Sequence, residues 1–358
     1  MKNTHYNQWL DFCRATAICM VLMSHGRGLL MEYFPSLQLL KFGGFLGVEL
    51  FFVLSGFLIG NILLKIVSSE KLASGWFVRF WLRRWLRTFP NYLLFLMINI
   101  FIINSVRPAA QPDFIRYITF TQNFLSPQSN FFGEAWSLSV EEIFYFITPL
   151  IITILSFFIC SKEKLIITAL AIIFSLSLLL RVYYSAYLSF SFDEIRAVAL
   201  LRLDSIMFGV AGAWMYSRGG YVRHFFCKAI PVFLIFLPMV IYIASVQDSK
   251  LDKFYLKVFF FDLTSLVCLA IIISGLRFNF NHFFSCVFGK LARWSYSAYL
   301  TNLPVLYLLY YLFPFGTKQH NGLLMWLAYI FLTFIFSAFV YRFYETFFLK
   351  FRDKNISG

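Results

Sequence analysis

Runs of about 20 apolar residues recur along nearly the whole of this chain, and a run of that length wound as a helix spans the hydrocarbon core of a bilayer. They occupy residues 9–30, 42–66, 89–104, 135–160, 165–181, 197–216, 229–246, 256–275, 295–314 and 321–341. Composition agrees. Hydrophobic residues make up 60% of the chain, charged residues 13%, and the mean hydropathy is +0.73, whereas soluble domains carry about 25% charged residues. The expected fold is all-α: a polytopic integral membrane protein of about ten transmembrane helices. It reads as a single domain over residues 1–358, with no separate soluble domain, internal repeat or low-complexity tract. The 48 phenylalanines suit surfaces that face lipid or other helices, and many Tyr and Trp residues fall near the span ends, where amphipathic rings are favoured.

With ten spans and a cytoplasmic N-terminus, the larger share of the 31 Lys and Arg residues lies on the cytoplasmic side. The positive-inside rule thus favours both termini in the cytoplasm. The net charge of +14 has the same origin, because a basic inner face attracts anionic lipid. Nucleic-acid binding is disfavoured, since no basic domain stands outside the spans. Asp11 and Arg14 interrupt the first apolar run and no small-residue cleavage site follows it, so it is expected to persist as a helix rather than act as a signal peptide. The six cysteines form no CxxC pair and show no metal-ligand spacing. Disulfides are not expected in a reducing compartment, and no metal is expected.

Ionisable residues inside apolar spans are costly and propose functional sites. Arg14 and His25 lie eleven positions apart in the first span, about 16 Å along a helix and on nearly the same face. A snorkelling arginine and a histidine in headgroup water remain an equal reading at this point. The stretch FVRFWLRRWLRTFPNY interleaves Arg79, Arg83, Arg84 and Arg87 with Trp76, Phe80, Trp81 and Trp85, which predicts an interfacial helix between the second and third spans. Its guanidinium groups suit a phosphate, although topology signalling explains the same pattern. Glu49, Ser55, Gly56 and Gly60 mark the second span, where small residues allow close helix approach. Glu141 and Glu142 enter the fourth span, with Ser137 and Tyr145 one turn to either side of Glu141. In the sixth span, Arg202 and Asp204 are too close in sequence to pair well, so each is expected to meet a group on another helix.

Taken in order, these stretches resemble the membrane-bound acyltransferase 3 family, whose bacterial members O-acylate cell-surface and secreted glycans. The resemblance rests on Arg14 with His25, GVELFFVLSGFLI at 47–59, RRWLRTFP at 83–90, AWSLSVEEIFYF at 135–146, RLDSIMFG at 202–209 and ARWSYSAYLTNLPV at 292–305. It implies that Arg14 and His25 are essential. It also places the WSL-x-V-E motif on Trp136, Ser137, Leu138 and Glu141, the R-x-x-R pair on Arg84 and Arg87, and the R-x-D pattern on Arg202 and Asp204. The chain departs from the pattern at Asn302, where many relatives have histidine, and after Glu345, where Thr346 and Phe347 replace the end of a Glu-x-Pro. Some relatives append an extracytoplasmic SGNH hydrolase-like domain; the chain is expected to lack one.

The resemblance implies transfer of an acyl group, most simply acetyl, from cytoplasmic acetyl-CoA or another acyl-CoA to a sugar hydroxyl. The acceptor would be a cell-surface, lipid-linked or secreted glycan such as a polysaccharide or lipopolysaccharide, and the site the bacterial inner membrane. A weakly nucleophilic hydroxyl calls for a base such as His25, with Glu141 expected to hold its other nitrogen and Glu49 behind it. Arg14 or Arg202 would stabilise the oxyanion or neutralise the buried acids, and Arg84 with Arg87 would hold the coenzyme phosphates. Direct attack and an acyl-enzyme on His25 or a serine both stay open. The rival class is a transporter or flippase for a lipid-linked glycan, which interior charges would also serve.

Overall fold

The computed structural model describes residues 7–31, 34–68, 75–106, 112–128, 131–218, 220–246, 250–314 and 321–356. Among them every regular element is helical. The long helices are α1 (Gln8–Gly26), α2 (Phe42–Ser68), α3 (Trp76–Val106), a short α4 (Phe114–Ile118), α5 (Ala135–Ser156) and α6 (Lys162–Ala186). After the short α7 (Phe192–Ala197) come α8 (Leu203–Ser217), α9 (Gly220–Ile235), α10 (Leu237–Ser245), α11 (Phe254–Ser274), α12 (His282–Leu312), α13 (Gly322–Val340) and α14 (Thr346–Asn355).

Six helical stretches among the described residues are long and apolar enough to cross a membrane: Pro35–Ser68, Trp76–Asn104, Ala135–Ser156, Lys162–Ala186, Phe254–Ser274 and Gly322–Asn355. The pair Phe226–Ile235 and Leu237–Ser245, bent by 42°, makes a seventh if it is one span. The expected count of ten is therefore not reached by length and composition. The three remaining runs coincide with α1, α8 and α12. Of these, α8 has only 15 residues, α1 carries Asp11, Arg14 and His25, and α12 carries Lys290, Arg293 and Asn302. The expected interfacial helix is not a separate element either. The arginine cluster forms the opening turns of α3, which runs on through Pro90. The carbonyls of Thr88 and Pro90 accept hydrogen bonds from the hydroxyls of Tyr296 and Tyr344.

The bundle is organised around α2. Two apolar clusters pack against it, one drawn mainly from α1, α3, α5, α6, α8, α12 and α13 and the other mainly from α10 and α11 with further residues of α1. Glycines on α2 permit this. A Cβ at Gly43 would lie 2.4 Å from the Met20 carbonyl oxygen and one at Gly47 2.7 Å from that of Ala17, so α1 runs antiparallel to α2 at near backbone contact. On the opposite side, a Cβ at Gly56 would lie 1.9 Å from the Ile206 carbonyl oxygen, and one at Gly209 2.1 Å from that of Val53. Gly60 meets Val210 and Ala213 in the same way, so α2 and α8 run parallel. This is small-residue packing, in which van der Waals contact replaces the hydrophobic drive that lipid cannot supply.

Buried charge ties the same helices together. Arg202 pairs with Glu49 of α2 in a short charge-assisted contact and also donates to Ser205 at 2.8 Å. Arg181 of α6 reaches Asp204 of α8 at 2.6 Å and Asp262 of α11 at 2.8 Å. Arg202 and Asp204 thus each find a partner on another helix, as expected. Phe261 packs under both guanidinium groups, 3.9 Å from that of Arg202 and 5.7 Å from that of Arg181.

Gly56→Ala and Gly209→Ala are each expected to destabilise the solubilised protein by about 1–3 kcal/mol, the usual cost of overpacking. Thermal unfolding in detergent checks this. Gly28→Ala, where the near neighbour among the described residues is the Tyr310 hydroxyl at 3.1 Å, should change it much less.

Candidate active site

The sequence-marked polar residues gather in two cavities in opposite halves of the bundle. The half where α1 begins is called the near half and the half where α1 ends the far half. The near cavity is lined by Arg14, Ser55, Arg84, Arg87, Thr88, Ser137, Glu141, Tyr145 and Tyr299, among apolar groups, and with its mouth takes in about 870 Å³. The far cavity encloses about 980 Å³, and His25, Arg27, Glu134, Trp136, Arg196 and Tyr299 are on its wall. Val48 and Tyr299 line both. A partition about one side chain thick therefore divides them, and the Tyr299 hydroxyl within it lies 2.7 Å from the Ser137 hydroxyl.

Helix geometry assembles the near cavity. Arg84 and Arg87 are three residues apart on the first turns of α3, which puts them on one face, and Arg14 enters from α1. Among the described residues, neither Arg84 nor Arg87 has a carboxylate within ion-pair distance, whereas Arg14 holds Asp11 at 3.4 Å. The neighbouring Arg83 turns the other way, to the Ile356 carbonyl and to Asp353 of α14. Glu141 accepts from Ser55 at 2.9 Å and from Tyr145 at 3.2 Å, while Glu142 takes the Thr88 hydroxyl at 2.5 Å. Three guanidinium groups lining one cavity can hold a polyanion, because guanidinium forks match phosphate oxygens in pairs.

In the far cavity, the decisive contact is between His25 and Asn302. His25 Nδ1 lies 2.6 Å from Asn302 Oδ1. The amide of Asn302 is oriented by its other end, since Nδ2 donates to the Tyr299 carbonyl at 2.5 Å, and Tyr329 donates to Oδ1 at 3.4 Å. Oδ1 can only accept, so Nδ1 carries the proton and Nε2 keeps the lone pair. That is the tautomer a general base needs. The expected pairing of His25 with Glu141 does not form, because Glu141 belongs to the other cavity. Glu49 and Arg202 line neither cavity, so the expected use of Arg202 at an oxyanion is not supported by its position. Asp204 is likewise part of the buried ion-pair network.

The far cavity is framed by loop contacts that sequence reasoning missed. Asn123 donates to the carbonyls of Trp136 and Ala197 at 3.0 and 2.7 Å, and Gln122 donates to the Ala135 carbonyl and Ser139, which fixes the start of α5. Helix α7 has a capping box between Ser191 and Glu194; hydrogen bonds from the Ser191 backbone and hydroxyl hold the Glu194 carboxyl below its ordinary range. From α7, Arg196 bonds Asp193 at 3.1 Å and lies 5.5 Å from the Trp136 ring. Glu134 was also missed. It directly precedes α5, and a Glu at a predicted membrane boundary reads as solvated. Yet it is 2% exposed and lines the cavity. Glu345, after which the chain departs from the family pattern, is buried as well and accepts from Asn91 and Ser297, both at 2.8 Å.

The sequence profile of a family described as an acyltransferase domain matches residues 7–342. The chain belongs to the acyltransferase 3 family. It is similar to a protein of Staphylococcus aureus strain MSSA476 provisionally named O-acetyltransferase SAS0844, at 26% identity over 98% of the chain and 58% of that protein. A second similar protein, from strain MRSA252 and provisionally named O-acetyltransferase SAR0937, matches with the same identity and coverage. O-acetyltransferase OatA of strain NCTC 8325 is 30% identical over 43% of the chain and 26% of its own length. The chain thus spans little more than half the length of the first of these relatives. No solved structure matches it. Among the described residues, no cluster of His, Cys, Asp and Glu could hold a metal.

For any reaction that draws on His25, Asn302→Leu should lower the rate constant about tenfold or more by releasing the tautomer. Asn302→His, which restores a ring that can accept from Nδ1, should lose much less. Steady-state rates of the two variants at matched expression distinguish a positioning role from a packing one.

Proposed function

We propose that this chain is an O-acetyltransferase of the bacterial cytoplasmic membrane, taking an acetyl group from cytoplasmic acetyl-CoA to a sugar hydroxyl of a cell-surface, lipid-linked or secreted glycan. The observation that carries the reading is the pair of cavities, one arginine-rich and one histidine-bearing, that share Val48 and Tyr299. Membership of an acyltransferase family supports it, as does similarity to proteins named O-acetyltransferases.

On this reading the near half faces the cytoplasm. Arg84 and Arg87, with Arg14, bind the phosphates of coenzyme A, and the acyl-bearing arm extends toward Tyr299. The sugar enters the far cavity from the opposite side. Its hydroxyl oxygen attacks the thioester carbonyl carbon while His25 Nε2 takes the hydroxyl proton. Negative charge then grows on the carbonyl oxygen, where the Tyr299 hydroxyl, linked to Ser137, is the nearest donor in the partition, and such donors act strongly in a dry site. As the tetrahedral intermediate collapses, the carbon–sulfur bond breaks and the thiolate recovers the proton from His25. Asn302 stabilises the transient imidazolium as a neutral dipole and fixes its orientation. Glu141, set between Ser55 and Tyr145, holds the near cavity in shape.

The reading is tested with inverted membrane vesicles of the source cell, which keep their native acceptors and expose the cytoplasmic side to acetyl-CoA. His25→Ala is expected to lower coenzyme A release and label transfer to glycan at least about 100-fold, within the usual range for a lost general base. Equal activity at equal folded protein would remove His25 from the chemistry, and glycan movement without thioester consumption would favour a transporter instead. Arg84→Ala combined with Arg87→Ala should raise KM for acetyl-CoA about tenfold or more and lower kcat less, as expected for lost ground-state phosphate binding. An unchanged KM would assign the pair to topology alone.

A further inference from the structure

Glu134 is the one carboxyl on the far cavity wall whose role the fold does not explain. It lies immediately before α5 but does not cap it. Both side-chain oxygens are buried, and neither has a side-chain hydrogen-bond partner among the described residues. Its own backbone N–H and that of Leu303 lie near enough to act on it. Arg196, on the same wall, is bound to Asp193 and packed on Trp136, and no ion pair to Glu134 forms among the described residues. The carboxyl nonetheless sits beside the His25 site, because Leu303 follows Asn302 in the chain and a Cβ at Gly133 would touch the Leu303 side chain at 2.9 Å.

A carboxyl removed from water without partners costs free energy, and in native proteins such groups call for an explanation. The start of a helix offsets part of that cost through its positive end. The remainder is recovered if something entering the cavity bonds to the group. Building on the proposed transfer reaction, we propose that Glu134 hydrogen-bonds a second polar group of the acceptor, adjacent to the hydroxyl that attacks. The far cavity is then a site for a sugar ring with two neighbouring hydrogen-bonding groups, a vicinal diol or a hydroxyl beside an amide N–H. His25 Nε2 addresses one and Glu134 the other. Two fixed points orient the ring, so the attacked oxygen is selected by geometry as well as by reactivity, and a correct pose is where much of enzymatic rate enhancement originates.

A structural carboxyl and a ligand-binding one respond oppositely to removal. Replacing an unpartnered buried polar group by an apolar one of similar shape is neutral or stabilising, so Glu134→Leu should unfold at the same temperature as wild type or higher. The same variant should transfer label from acetyl-CoA to glycan in source-cell vesicles at least about tenfold more slowly, with KM for acetyl-CoA unchanged, because only the acceptor loses a partner. Glu134→Gln, which keeps hydrogen-bonding capacity, should recover most of that loss. A Glu134→Leu enzyme as active as wild type would overturn the inference, as would one whose unfolding temperature falls or whose donor KM rises. A Glu134→Gln enzyme as slow as Glu134→Leu would also overturn it, assigning proton transfer to the carboxyl instead. Wild-type vesicles that transfer no more label than vesicles lacking the chain would overturn the acyl-transfer reading, and this inference with it. An active wild type with an equally active Glu134→Leu would overturn the inference alone.

Discussion

An arginine cut off from water must keep a counter-charge within reach, and Arg181 and Arg202 have no exposed surface at all. In an apolar bundle their partners are as confined as they are, so the pairs dictate which helices lie together. Arg202 fastens the start of α8 to α2 through Glu49, and Arg181 fastens α6 to α8 and α11 through Asp204 and Asp262. Removing one member of such a pair typically costs about 3–5 kcal/mol, because the other is left charged and dry. The glycine contacts of α2 act in concert with this network. They bring the backbones close enough for charge pairs to form, and the charge pairs in turn select the register in which the glycines meet.

Both cavities depend on that register. Helix α2 contributes Val48 to the partition and Ser55 to the near cavity, on a segment whose rotation is fixed by Glu49 and by Gly56. A slip of one residue along α2 would turn these positions through about 100°, removing the hydrogen bond to Glu141 and opening the partition. The far cavity depends on different supports. Its outer wall rests on loop side chains such as Asn123, which bind backbone carbonyls and so position elements rather than contact a ligand.

Much of this was legible in the chain, for physical reasons that differ from residue to residue. Arg202 and Asp204 announced interhelical pairing because a spacing of two prevents them from satisfying each other. Gly56 and Gly60 announced a close helix contact because nothing else favours glycine in the middle of a span. Arg84 and Arg87 could be placed on one helix face by spacing alone. The partner of His25 could not be foreseen, since the contact joins residues 277 positions apart and the chemistry of a histidine–acid dyad suggested a carboxylate. Glu134 was hidden by its location at a membrane boundary, where exposure is the ordinary expectation. Length and composition mark six or seven spans among the described residues, because α1, α8 and α12 are short or carry polar residues, as α1 does with Arg14 and His25.

The partition formed by Val48 and Tyr299 has a consequence for the membrane itself. A protein with polar chambers in both halves is close to being a pore, and a continuous column of water through it would dissipate the proton gradient that the cell maintains. One layer of side chains, with Val48 and Tyr299 in it, stands between the two chambers. The Tyr299 hydroxyl is anchored by its bond to Ser137, which holds the side chain across the boundary between the two cavities. On the proposed reaction, donor and acceptor would meet across that layer without a standing aqueous path through the bilayer.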